Sequence, residues 1–174
     1  MTDWKATIEE YGPRVWGIVY RILGNEADAA DCFQEVFVSA VQAARRQKIR
    51  SMEAFLSLLA TQRGIDLLRR RKPTFRLHRT DIDCQTLEST EAAPSMGMQS
   101  KELSEQLRAA LAKIPKQEAE AFCLRILNEY SYRQIADQMK MNENYVGVLI
   151  NRARGKLHQL LKQTAVEYGR EVSL

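Results

Sequence analysis

D-A-A-D-C-F-Q-E-V-F, residues 28–37, asks for a helix whose two faces want different things. At spacings of three and four, Ala29, Phe33, Val36, Phe37 and Ala40 form one apolar stripe. Asp28, Asp31, Gln34, Glu35 and Val38 fall on the other side, an acidic strip with one aliphatic residue in it. Gly24-Asn25 supplies a turn and an N-cap, and Glu26 and Asp28 suit the positive end of the helix dipole. Two readings of the strip stand side by side: the solvated back of a core helix, or a docking face.

Outward from that stretch the chain reads as helix almost throughout. Leu, Ala and Arg are plentiful, Gly (8) and Pro (4) scarce, and alternating β-branched runs nearly absent, which predicts an all-α protein. Its 174 residues allow one ordinary domain or two small ones. No apolar run approaches the roughly 20 residues of a membrane span, and Met1-Thr2-Asp3-Trp4 does not open a signal peptide. A soluble, cytoplasmic chain with no direct membrane insertion is expected.

Cys32, Cys84 and Cys123 are odd in number and far apart, so neither a disulfide framework nor a zinc site is signalled. Cys32 and Cys123 read as small core residues and Cys84 as an exposed thiol. His78 and His158 are isolated, and no nucleophile, base and orienting residue cluster. The expectation is no enzyme, no metal and no cofactor.

The formal net charge of +4 conceals segregation. Residues 1–44 carry net −4, residues 45–79 net +9, residues 80–100 net −4 and residues 101–174 net +3. A dense basic block between acidic ones is the footprint of a polyanionic partner, most often nucleic acid.

The first helix is expected from about Asp3 to Leu23, with Ile8, Tyr11, Val15, Ile18, Val19 and Ile22 buried and a kink or restart at Gly12-Pro13. The opening stretch continues to about Ala44, and residues 45–51 form a basic connector. A third helix begins at Ser51 and ends in Arg69-Arg70-Arg71-Lys72 before Pro73. From Pro73 to about Ser100 periodicity disappears among Asp81, Asp83, Glu88 and Glu91, a flexible acidic linker between two modules. The second module opens with a helix over about 101–113 (Leu103, Leu107, Ala110 and Leu111 inward). Pro115 starts another, with Ala119, Phe122, Cys123, Ile126 and Leu127 as its stripe. Ser131 and Gln134 make a capping box for a short helix to Met139. After Lys140-Met141-Asn142 a last helix runs to about Lys162, a pairing that fits a helix-turn-helix. Arg152, Arg154 and Lys156 stand near its outer end. Tyr132 and Tyr145 fit shielding of the turn as well as DNA contact.

Together these pieces resemble the extracytoplasmic-function (ECF) group of sigma-70 family RNA polymerase sigma factors. Residues 28–37 are close to the signature of the family's second conserved region, and F-L-S-L-L-A-T-Q-R-G-I-D-L-L-R-R-R at 55–71 resembles its next helix. Y-S-Y-R-Q-I-A-D-Q-M at 130–139 and N-R-A-R-G-K-L at 151–157 resemble its C-terminal helix-turn-helix. The resemblance implies sigma region 2 over 1–72, a linker over 73–100 and sigma region 4 over 101–174. It implies core RNA polymerase as partner, through the β′ clamp coiled coil and the β flap, together with promoter DNA and an anti-sigma factor.

Carried onto this chain, the resemblance gives Asp28, Asp31, Gln34, Glu35 and Val38 to the β′ clamp. Arg45, Arg46, Lys48, Arg50, Gln62, Arg63, Arg69 and Arg70 go to the opened −10 strand. Tyr132, Arg133, Asn144, Tyr145, Val148, Asn151, Arg152, Arg154 and Lys156 go to the −35 duplex. Six positions depart from the family pattern: Phe55 stands for Trp, Gln62 for Asn, Lys140 for a turn Gly, and Gly147-Val148-Leu149 for a more basic run. A free-standing helix-turn-helix regulator and a helical adaptor are the rival readings.

Overall fold

The computed structural model describes residues 2–71 and 94–167, all of them helix or the short turns between helices. Among the described residues seven helices follow in order: α1 Trp4–Leu23, α2 Glu26–Arg46, α3 Met52–Arg70, α4 Pro94–Lys113, α5 Lys116–Leu127, α6 Tyr132–Met139 and α7 Glu143–Glu167. The expected all-α class, the three-helix first module and the helix-turn-helix of α6 and α7 are all present. Cys84 and the acidic run around it lie outside the described residues.

Local chemistry sets the ends. Asp3 caps α1 through its Oδ1, which accepts from the amides of Lys5 and Ala6. Gly24 ends the same helix at φ 73°, a left-handed conformation that glycine adopts without a Cβ penalty. Asn25 Oδ1 then accepts from the Asp28 amide at 2.8 Å and starts α2. Ser131 and Gln134 form the reciprocal capping box anticipated for α6.

Five expectations are corrected. The first helix does not restart at Gly12-Pro13; α1 runs through Pro13 without a break. Burial of Val15, Ile18, Val19 and Ile22 beyond it offsets the roughly 3 kcal/mol that an interior proline costs. Ile8 is 41% exposed, and Thr7 takes the buried position, its hydroxyl satisfied by donating to the Asp3 carbonyl at 2.7 Å. Leu103 is exposed, whereas Leu107, Ala110 and Leu111 of the same helix pack on the core. That helix also begins at Pro94, so the last residues of the expected linker are helical. Ile126 is exposed too: α5 packs against both α3 and α7, and the small residues Ala119, Ala121 and Cys123 fill that space instead.

The modules are not separate bodies. One continuous core joins Val19, Ile22, Val36, Leu56 and Ile65 of α1–α3 to Leu111, Ile114, Ala119, Cys123 and Leu157 of the second module. A smaller cluster, Leu124, Ile135, Val146, Leu149 and Ile150, holds the helix-turn-helix together, and Leu58 of α3 packs on its edge.

Candidate functional site

Three surfaces carry the residues singled out in the sequence. The first is the outer face of α2. Asp31, Gln34 and Glu35 are exposed there, and Val38 among them is 57% exposed, an aliphatic side chain left uncovered beside carboxylates. Such a face fits a basic partner that also buries apolar surface. Arg63 joins this face rather than the other −10 candidates, donating to Ser39 Oγ at 3.2 Å and lining the same shallow hollow. Asp28 differs from its neighbours. It is half-buried, accepts from Asn25 Nδ2 at 2.9 Å and is ion-paired with Arg71. Arg71 in turn donates to the Leu23 carbonyl at 3.0 Å, so this pair ties the end of α3 to the α1–α2 turn.

The second surface is the connector between α2 and α3. Arg45, Arg46, Lys48 and Arg50 are exposed there, and the first three line an open cleft together with Trp4, Val41 and Met52. Cations beside an aromatic ring and apolar floor suit a single strand, whose backbone needs charge and whose bases need a stacking surface. Arg70 is exposed at the far end of α3. Gln62 and Arg69 are placed elsewhere: half-buried Gln62 stands against Glu120 of α5, and Arg69, itself exposed, reaches the end of α4. Arg69 donates to the carbonyls of Ala112, at 3.3 Å, and Ile114, groups that the end of α4 leaves without helical partners.

The third surface is the outer side of α7. Asn144, Tyr145, Val148, Asn151, Arg152 and Arg154 are exposed, with Arg133 exposed on α6. Tyr132 is half-buried; Arg125 lies over its ring at 5.8 Å, and the ring approaches the backbone of Gly147. Lys156 turns back instead of outward, its Nζ 2.7 Å from Oε1 of Glu118.

Sequence reasoning missed the polar groups that join the modules. Lys116 Nζ is 2.7 Å from Asp66 and 3.7 Å from Glu120, and Asn128 Nδ2 donates to Thr61 Oγ1 at 3.5 Å. Arg14 donates to the Tyr130 hydroxyl at 3.5 Å, and Arg108 to the Arg21 carbonyl at 3.2 Å. The available signal was two glutamates, Glu118 and Glu120, in a helix otherwise lined with small apolar residues; both are buried. Burial pushes the Cys32 and Cys123 thiols up to about 12, which leaves them protonated and unreactive at neutral pH. Among the described residues no cluster of three or more His, Cys, Asp and Glu could hold a metal ion, and no helix is long and apolar enough to cross a membrane.

Residues 7–74 match the family model for sigma-70 region 2, and residues 104–157 match that for sigma-70 region 4. The chain belongs to the sigma-70 family. It is 25% identical over 167 residues to the ECF RNA polymerase sigma factor SigE of Mycolicibacterium smegmatis, covering 96% of this chain but only 65% of that protein. It is 26% identical over 162 residues to the ECF RNA polymerase sigma factor SigW of Bacillus subtilis, covering 89% and 87% of the two chains. Two solved structures share the fold at lower identity. One is CnrH in complex with the cytosolic domain of CnrY (19% identical, TM-score 0.60, covering 92% of this chain and 88% of that one). The other is the sigma factor RpoE in complex with the anti-sigma factor NepR from Bartonella quintana (16%, TM-score 0.55, covering 93% and 98%). In this sigma-70 family chain the region 2 match covers most of α1 and all of α2 and α3, while the region 4 match begins inside α4 and reaches into α7.

Proposed function

We propose that this protein is a sigma factor of the ECF group that binds core RNA polymerase, directs it to particular promoters and assists strand opening. Residues 1–72 act as region 2, residues 73–100 as the connecting linker and residues 101–174 as region 4. The observation that carries the reading is the exposed strip Asp31, Gln34, Glu35 and Val38 on α2, in one chain with a basic connector and a helix-turn-helix. A regulator that only bound duplex DNA would have no use for such a strip. The strip docks on the β′ clamp, where opposite charges steer the encounter and Val38 supplies desolvated contact. Arg45, Arg46, Lys48 and Arg50 take the opened −10 strand, with Arg70 beside them. The outer side of α7 reads the −35 duplex, Arg152 and Arg154 holding phosphates and Tyr145 and Val148 meeting base edges. The complexes of CnrH with the cytosolic domain of CnrY and of RpoE with the anti-sigma factor NepR support an anti-sigma factor as a partner here also.

Binding of the purified protein to core RNA polymerase tests this, wild type beside Asp31→Lys and Glu35→Lys. Tight binding that is lost in both reversals supports the reading. Failure of the wild type to bind, with duplex DNA still bound, would replace it with a free-standing regulator.

A further inference from the structure

The hollow between α2 and α3, about 500 Å³ in volume, carries a charge order of its own. Its α2 wall presents Asp31, Glu35 and Ser39 at four-residue spacing, about 6 Å per step on a helix. Arg63 reaches in from α3 and donates to Ser39 Oγ at 3.2 Å, which sets its guanidinium at the level of Ser39. Along the α2 axis the order is therefore acid, acid, base. Val38, 57% exposed, and Gln42 complete the hollow, an aliphatic patch and an amide among the charges.

Tying α3 to α2 does not occupy this arginine fully. A guanidinium has five N–H donors in a rigid fork, and Ser39 takes one. Among the described residues Asp31, Glu35 and Arg63 enter no ion pair, although Glu35 and Arg63 act on the same buried Cys32 thiol in opposite senses. The resemblance to the family gives Arg63 to the −10 strand. A phosphate entering this hollow would meet Asp31 and Glu35 as well, and both would repel it. A carboxylate on a partner that also brings bases to Asp31 and Glu35 meets no such repulsion. Arg63 is half-buried, so a pairing there is less weakened by water than one at an open surface.

We propose that Arg63 belongs to the polymerase-docking surface and receives a carboxylate from the clamp coiled coil. The facing helix of that partner presents two bases and then an acid, one turn apart, as the complement of Asp31, Glu35 and Arg63. The inference rests on the reading of the α2 strip as the clamp site. Order matters here as much as charge. An all-basic helix would suit the strip but set a cation against Arg63, and a helix displaced by one turn would set its acid against Glu35. Arg63 thereby fixes the register and rejects purely cationic partners, because like charges brought together in an interface are costly.

The test measures the affinity of the full chain for core RNA polymerase, beside the urea midpoint of the free protein, for wild type, Arg63→Ala, Arg63→Gln and Arg63→Glu. Arg63→Ala and Arg63→Gln should each weaken core binding about tenfold, the effect of losing a hydrogen bond between charged groups. Arg63→Gln keeps a donor for Ser39 and should hold the wild-type midpoint. The acidic residues of the clamp coiled coil are then changed singly to Lys in core and paired with Arg63→Glu. One pairing should regain most of the lost affinity and the others none, a result that support of the fold alone would not produce. Should Arg63→Glu fail to fold, the same core variants are titrated with Arg63→Gln. One of them should then weaken binding of wild type and leave that of Arg63→Gln unchanged. Wild-type affinity for core in Arg63→Ala and Arg63→Gln would overturn the proposal, as would a loss that singles out no core variant. Intact core affinity with weaker capture of the −10 single strand by the holoenzyme would overturn it too, returning Arg63 to DNA. A wild type that never binds core defeats the sigma-factor reading and this inference together. Losses confined to Asp31→Lys and Glu35→Lys would leave that reading standing and strike out Arg63.

Discussion

Lys156 Nζ lies 2.7 Å from Oε1 of Glu118, across the gap between α7 and α5. The glutamate side chain is only 6% exposed and its other oxygen, Oε2, has no partner, whereas the lysine is 43% exposed. A residue that the family pattern gives to the −35 duplex is thereby part of what holds α7 on the core. Removing the partner of a buried carboxylate is strongly destabilising, less so where water can replace it. Lys156→Ala is expected to cost about 2 kcal/mol in chemical denaturation. Glu118→Gln should cost less, because an unpaired buried amide is less costly than an unpaired buried charge. An unchanged denaturation midpoint in Lys156→Ala would place Lys156 outside the fold's support.

Lys140 closes α6 at φ 54°, ψ 49°, a left-handed conformation that costs an L-residue about 1 kcal/mol. Lys140→Gly should raise stability by several tenths of a kcal/mol after the added chain entropy of the unfolded state is counted. Gly24 gives the opposite result. Its φ is 73°, and a Cβ there would stand 2.4 Å from the Arg108 guanidinium carbon, so Gly24→Ala should destabilise. Urea midpoints of the two variants check both signs.

How much of this was legible in the sequence follows from the range of each interaction. Caps are local, and Asn25, Ser51 and the Ser131–Gln134 box announce themselves within four residues. The exposed strip of Asp31, Gln34, Glu35 and Val38 is also local, because helical periodicity alone puts it opposite Ala29, Val36 and Ala40. The interface between modules is not local. Asp66 and Lys116 are fifty positions apart, on either side of a stretch without periodicity, and each alone looks like an ordinary surface charge. The same holds for Arg69, whose place in a basic run suggested phosphate, while its partners are backbone carbonyls that leave no mark in sequence. Periodicity misjudged Leu103 and Ile126 because it reports that a residue is apolar, not whether a neighbouring helix extends far enough to cover it.

On the outer side of α7 charge and shape should separate in experiment. Arg152 and Arg154 are exposed near the middle of the helix, whereas Tyr145 and Val148 are exposed nearer its start. If the arginines hold phosphates in holoenzyme, Arg152→Ala should reduce the slope of log affinity against log salt by about 0.9. Val148→Ala should leave that slope alone and weaken binding by about 1 kcal/mol at a preferred −35 sequence, the transfer value of the apolar atoms removed. It should do so only where thymine methyls are presented. A uniform loss across sequences from Val148→Ala would mean that Val148 supports the helix rather than reads DNA.

The last expectation concerns acidity. Glu120 is 3% exposed between α5 and α3. Burial raises its carboxyl above the ordinary range, Lys116 pulls it back and Asp66 pushes it up again; the Gln62 amide favours the charged form. Because the folded value lies above the unfolded one, the stability contributed by the neutral acid is full below the unfolded value and is lost as pH rises through the folded one. Mild acid should therefore tighten the packing of α5 on α3, and neutral pH should loosen it. Glu120→Gln keeps the neutral form at every pH, so its melting temperature at neutral pH should exceed that of wild type. The wild-type change in melting temperature across the weakly acidic range should flatten in the variant. Asp66 and Lys116, on the two facing helices, stay in place in this comparison and supply the control. If Glu120→Gln reproduces the wild-type pH profile, the titration belongs to another group and Glu120 is charged throughout.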